Sequence, residues 1–210
     1  MPQKDKKTEN IKLEEKKDLM TDLLESFVAA MSISIFIYFT LAMPNQVEGQ
    51  SMEPNFHNSD LLLTNRVSSW LGESDFGKSI GLDFKRGDEI IFHENTIELI
   101  KRIIAGPGDT IRLHDGKVYV NEKELTEDYL PKDLQTFAYS GLYSFIKDDE
   151  IKTVPEGYYF VMGDNRGNSK DSRFSDVGFV KRTEIRGKVL VKYWPFDQFE
   201  LIPQGVYTEK

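Results

Sequence analysis

Ile97-Glu-Leu-Ile-Lys-Arg-Ile-Ile104, closed by Ala105-Gly-Pro-Gly108, is the stretch on which the fold turns. Alternation along an extended chain puts Leu99, Lys101 and Ile103 on one face and Ile100, Arg102 and Ile104 on the other. One of the two basic residues must therefore share a face with apolar neighbours. If it is Lys101, burial lowers its pKa by disfavouring the ammonium, and a neutral lysine can take a proton from a hydroxyl. Arg102 cannot do this, because a guanidinium stays protonated. The plainer reading is a lysine that snorkels or pairs with an acid.

Outward from this strand, residues 61–64, 88–93, 110–113, 117–120, 158–162 and 187–193 are further short β-rich runs bounded by Gly, Pro, Asn or Asp. Asp115-Gly116 marks a hairpin, since that dipeptide supplies the positive φ of a tight primed turn. Strong helical periodicity is absent after Pro44, which predicts a mainly β, antiparallel domain over residues 44–210. Residues 66–86 and 122–156 are polar-aromatic and irregular, and read as surface insertions. The chain has 210 residues, enough for one globular domain with modest extras. Its net charge of −8 argues against a nucleic-acid binder. The absence of cysteine excludes disulfides, thiolate metal sites and a cysteine nucleophile.

Residues 26–43 contain no charged residue, and 18 residues of helix span about 27 Å, enough for a bilayer core. Pro44 is expected to stop that helix. A buried core helix would carry a polar stripe, which this segment lacks apart from scattered Ser and Thr. A cleaved signal peptide is the rival reading. Against it stand the length of the apolar stretch and the mixed-charge arm of residues 1–25, with Lys4, Lys6, Lys7, Lys12, Lys16 and Lys17 among seven acids. No Lys or Arg follows Pro44 until Arg66, so the positive-inside tendency leaves the N-terminus in the cytoplasm and carries residues 44–210 across the membrane.

Familiar catalytic motifs are missing: there is no G-x-S-x-G elbow, no P-loop and no H-E-x-x-H, and His57, His93 and His114 stand at unrelated spacings. What remains is Val47-Glu-Gly-Gln-Ser-Met-Glu-Pro54, which keeps Ser51 within about 26 Å of the bilayer surface in a fully extended chain. Taken alone, Ser51 reads as a turn or capping serine rather than a nucleophile. A third element, Met162-Gly-Asp-Asn-Arg-Gly-Asn-Ser-Lys-Asp-Ser-Arg173, reads as a solvated loop or as a hydrogen-bonded rim that orients an adjacent site.

Together these segments resemble the bacterial type I signal peptidases. The resemblance rests on Gly49-Gln-Ser-Met-Glu-Pro54, Gly87-Asp-Glu-Ile-Ile-Phe92, Lys101 to Ile111 and Gly163 to Arg173, in the family's order and behind an N-terminal anchor. It covers residues 24 to 195. It implies a mainly β catalytic core with an inserted β-rich subdomain, placed here at 112–158, and a Ser-Lys dyad peptidase that cuts membrane-tethered preproteins after small residues. Ser51 would be the nucleophile and Lys101 the general base. Ser169 would orient the lysine, Asp171 and Arg173 would brace the site as an ion pair, and Met52 would line the pocket beside the nucleophile. Gly49 stands where some members carry a serine that adds an oxyanion donor. Asn55 and Leu99 depart from the pattern as well. The resemblance implies neither metal nor cofactor, a bacterial cytoplasmic-membrane location, signal peptides and the lipid bilayer as partners, and action as a monomer.

Two alternatives differ in kind. The self-cleaving SOS repressors share Ser-Lys chemistry but need a DNA-binding headpiece, where residues 1–43 offer an apolar helix. A catalytically silent, anchored β-domain that binds exported polypeptides would need no dyad.

Overall fold

The computed structural model describes residues 3–94, 97–203, 205 and 207–209, with side-chain surroundings from Leu19 onward except at Phe39, Thr40, Thr208 and Glu209. Met1, Pro2 and the lysine side chains of the charged arm lie outside the described residues. The chain divides into two units, Met1–Leu41 and Ala42–Lys210.

The first unit is helix α1, Gln3–Thr40. Within it Leu19–Tyr38 is long and apolar enough to cross a membrane by length and composition, at about 30 Å for its 20 residues. Its Ser32 and Ser34 hydroxyls donate to Val28 O and Ala30 O, so their polarity is met inside the helix. The helix ends at Thr40, short of the expected Met43. Ala42–Gln46 instead forms strand β1, paired with β2 (Leu61–Asn65) so that Met43 faces Thr64. Two forces set this boundary. Pro44 pushes the residue before it into extended backbone, and β2 offers that backbone partners. Pro44 lacks an N–H and is tolerated because β1 is an edge strand.

The second unit is mainly antiparallel β. After two short helices, α2 (Val67–Leu71) and α3 (Asp75–Ser79), the chain runs through β3 (Glu89–Glu94), β4 (Ile97–Ala105), β5 (Thr110–His114), β6 (Lys117–Val120), β7 (Lys123–Thr126) and β8 (Lys152–Thr153). It then continues through β9 (Tyr158–Met162), β10 (Val180–Lys181), β11 (Ile185–Trp194), β12 (Glu200–Leu201) and β13 (Thr208–Glu209). One sheet has the order β1-β2-β11-β3-β4-β9-β10, with β12 added to the far end of β11; the other has the order β13-β7-β6-β5-β8. Asp115 and Gly116 both take positive φ, +48° and +74°, and close the β5–β6 hairpin with His114 opposite Lys117. This is the primed geometry that matches strand twist.

Strands β3 and β4 are buried on both faces. On one side Val47, Met52, Phe56, Leu62, Ile91, Ile100, Val189 and Ile202 cluster; on the other Phe84, Ile90, Phe92, Ile103, Tyr159, Val161, Val180 and Ile185 do. Residues of the second sheet share a core with Ile104, Ala105, Phe160 and Met162, the ends of β4 and β9. The segment 112–158 thus packs on the strands that flank it. Residues 66–86, expected to be irregular, hold α2 and α3. Ser74 caps α3 by accepting from Gly77 N at 2.9 Å, and a Cβ on Gly77 would stand 1.8 Å from Leu71 O.

Candidate active site

Ser51 lies in the loop between β1 and β2, and the loop is pinned at both ends. Val47 N donates to Asp60 O, Ser59 N donates to Val47 O, and Gly49 N donates to Asn58 Oδ1 at 2.9 Å. Met52 and Phe56, each 1% exposed, anchor the turn in the core, and the amides of Asn55 and Phe56 donate to Met52 O. Gly49 sits at φ +89°, which glycine adopts without strain. A Cβ there meets nothing within 4 Å, so it is the backbone rather than space that suits glycine.

The loop after β9 clamps the nucleophile segment from the other side. Asn165 donates from its backbone N to Ser51 O and from Nδ2 to Gln50 O, both at 3.0 Å. Lys101 enters from β4. It is 1% exposed, and its Nζ donates to Ser51 Oγ at 2.8 Å and to Ile100 O at 2.7 Å. Burial pulls the lysine pKa down from 10.5 to about 8, against the opposing pull of Asp171, Asp164 and Glu94. The structure therefore holds an amine that is easily deprotonated against a serine hydroxyl, 50 residues apart in sequence.

Asp171 and Arg173 form a buried bidentate pair, with Nε and Nη2 both 2.8 Å from the carboxylate. The carboxylate also accepts from Gly163 N at 3.1 Å, and Arg173 Nη2 donates to Arg166 O, which ties the loop to itself. Arg166 in turn pairs with Glu127. Ser169 is buried, and its Oγ makes no hydrogen bond, to Lys101 or to any other described group. It lies beside Gly163, where an added Cβ would stand 2.2 Å from Ser169 Oγ and 2.4 Å from Ser51 O. Met52 is a core residue and does not line the groove at Ser51. That groove, about 440 Å³, runs over Leu62, Ile91 and Ile100 between residues 44–48 and 97–101. Both Ser51 and Lys101 line it.

Both basic residues of β4 are buried, not one. Arg102, on the face opposite Lys101, donates from Nε and Nη2 to Asp164 at 2.9 and 2.8 Å and pairs through Nη1 with Glu89 at 2.5 Å. Its guanidinium lies 3.9 Å from the centroid of the Tyr129 ring. Asp164 also accepts from Asn55 Nδ2 at 2.7 Å, so one carboxylate joins the serine loop to the lysine strand. Sequence reasoning left Arg102, Asp164, Asn55 and Glu89 without roles. The available signal was that alternation leaves a basic residue on each face of a strand apolar on both. Of the histidines, His114 lies with Asp148 and Asp149 in an exposed cluster on the second sheet, where Arg112 is 3.3 Å from Asp149.

The family model described as signal peptidase, peptidase S26, matches residues 20–194. The chain belongs to the S26 signal peptidase family. It is 31% identical to signal peptidase I S of Bacillus subtilis over 91% of this chain and 97% of that one. It is 35% identical to signal peptidase I T of the same organism over 83% and 85%, and 41% identical to a signal peptidase I of Bacillus caldolyticus over 73% and 80%. A crystal structure of a signal peptidase I from Enterococcus faecalis is 36% identical and covers 50% of this chain and 94% of its own, at a TM-score of 0.40. Membership makes the chain a peptidase, and the groove with Ser51 and Lys101 is its candidate active site.

Proposed function

We propose that this chain is a membrane-anchored endopeptidase that removes N-terminal signal peptides from exported preproteins through a dyad of Ser51 and Lys101. The observation that supports the dyad most directly is the 2.8 Å contact between Lys101 Nζ and Ser51 Oγ in a buried setting. In the reactive form the amine is neutral and the contact reverses: the hydroxyl donates to the Nζ lone pair. One amine hydrogen stays on Ile100 O and fixes the lone-pair direction. Lys101 takes the hydroxyl proton as Ser51 Oγ attacks the scissile carbonyl, and the backbone N–H of Ser51 helps hold the oxyanion. The resulting ammonium gives its proton to the departing amine and leaves an ester on Ser51. A water then attacks that ester with Lys101 as base again, and Ser51 recovers its proton.

The anchor in this reading is the apolar part of α1. It has its N-terminal arm in the cytoplasm and holds residues 42–210 on the other face of the bacterial cytoplasmic membrane, where tethered preproteins present their cleavage sites. The test is a preprotein-processing assay in detergent with wild type, Ser51→Ala and Lys101→Met. Each variant is expected to lose at least about 10³-fold in kcat, with folding unchanged by circular dichroism. Equal cleavage by all three overturns the dyad. A folded wild type that binds preproteins without cutting them replaces this reading with the silent binding domain.

A further inference from the structure

Ser169 is buried in the loop after β9, yet among the described residues it makes a single hydrogen bond: Tyr139 Oη donates to its backbone O at 2.7 Å. Its own hydroxyl is left without a partner. That hydroxyl stands beside the nucleophile, since a Cβ added to Gly163 would meet Ser169 Oγ and Ser51 O alike. Buried hydroxyls are rarely left so in folded proteins, because desolvation without a hydrogen bond is costly. One donor, aimed at the carbonyl, thus ties the residue down and keeps Oγ open in the space next to Ser51.

The donor comes from outside the short boxes. Tyr139 belongs to the segment 112–158, and the stretch 137–145 lies along the loop 169–175. Arg173 Nη1 donates to Phe137 O at 3.2 Å, Phe145 N to Arg173 O at 2.8 Å and Ser175 N to Tyr143 O at 2.8 Å. At positions 137, 143 and 145 these bonds use backbone atoms, which almost any residue type supplies. Tyr139 instead contributes its side chain. Its ring stacks on Phe174 with centroids 3.8 Å apart and lies 4.7 Å from the Arg173 guanidinium. A ring held on two sides has little rotamer freedom left to lose when Oη bonds its acceptor. Burial raises the phenol pKa, so Oη keeps its proton and stays a donor.

We propose that Tyr139 is a positioning residue of the candidate active site: its bond to Ser169 O holds the Ser169 hydroxyl against the serine loop, in place beside Ser51. Tyr139 touches neither member of the candidate dyad and acts only through Ser169. The inference rests on the peptidase reading above and adds to it a residue that lies in none of the short boxes.

The test is a double-mutant cycle in the preprotein-processing assay, using the full chain in detergent as wild type, Tyr139→Phe, Ser169→Ala and the two combined. Tyr139→Phe keeps the ring on Phe174 and Arg173 and removes only the donor. It is expected to lower kcat about fivefold at unchanged KM, the loss of one hydrogen bond that places a group beside the reacting atoms. In a Ser169→Ala chain the same substitution should cost nothing further, because the hydroxyl it positions is gone. Rates are taken per folded chain, with the folded fraction read from urea denaturation, so lost stability does not mimic the effect. An equal loss in both backgrounds makes Tyr139 a brace of the loop at large and overturns the proposal, as does wild-type kcat in Tyr139→Phe or in Ser169→Ala. Ser51→Ala and Lys101→Met separate this inference from the reading it rests on. If they abolish cleavage while Tyr139→Phe does not slow it, this inference alone fails. If they cleave as wild type does, the dyad fails and this inference falls with it.

Discussion

At the scale of single residues, Lys101 sets the pH behaviour. Its folded pKa, about 8, lies below the ordinary 10.5 because burial penalises the ammonium. The base is the neutral form, so cleavage should fall about tenfold per pH unit below 8 and level off above it, measured as kcat/KM against pH. Glu94→Gln removes one of the charges that hold the pKa up, and should move the acidic limb to lower pH. The same shift bears on stability. A lysine depressed in the folded state binds its proton less well there than in the unfolded chain, so stability rises with pH between about 8 and 10.5 and is lower beneath that window. Lys101→Met should therefore raise stability at pH 7 by about 1–3 kcal/mol while abolishing cleavage, measured by urea denaturation. The candidate roles of Ser51 and Lys101 were legible as residue types in short boxes. The orphaned Ser169 Oγ and the core position of Met52 were not, because which way a side chain points depends on packing.

At the scale of elements, β4 carries the site. A strand buried on both faces can seat Lys101 toward Ser51 and Arg102 toward Asp164 within one peptide unit. Arg102→Leu strips the guanidinium that bridges Glu89 and Asp164 and leaves two carboxylates buried together. It should cost about 3–5 kcal/mol, seen as a lower urea midpoint, and should slow cleavage by loosening the Asn55 link to the serine loop. The seven runs with β composition all became strands, since alternation and turn residues are local signals. The two-residue strands β8, β10, β12 and β13 escaped notice because two residues carry no period; they exist only because a neighbour offers hydrogen bonds. The end of α1 was displaced from Met43 to Thr40 for the same reason, when β2 claimed Ala42–Gln46.

At the scale of the whole molecule, the helix and the β unit are separate compact bodies. A chain lacking residues 1–41 should keep the cooperative unfolding of the β unit, since both sheets and all three core clusters lie beyond that point. It should also lose the co-flotation with vesicles that the proposed anchor gives the full chain. A truncated chain that unfolds, or that floats with vesicles as the full chain does, contradicts this division.

The sequence by itself determined an apolar helical segment ahead of a β-rich remainder, the Asp115-Gly116 hairpin, and the short boxes that hold Ser51 and Lys101. These follow from composition, periodicity and turn chemistry, which act between near neighbours in the chain. Only the tertiary structure decided that Lys101 meets Ser51 across 50 residues, that Arg102 is buried too on the reverse face, and that Asp164 joins the serine loop to the lysine strand. Desolvation makes those distant ionic partners necessary, and desolvation exists only once the sheets have packed.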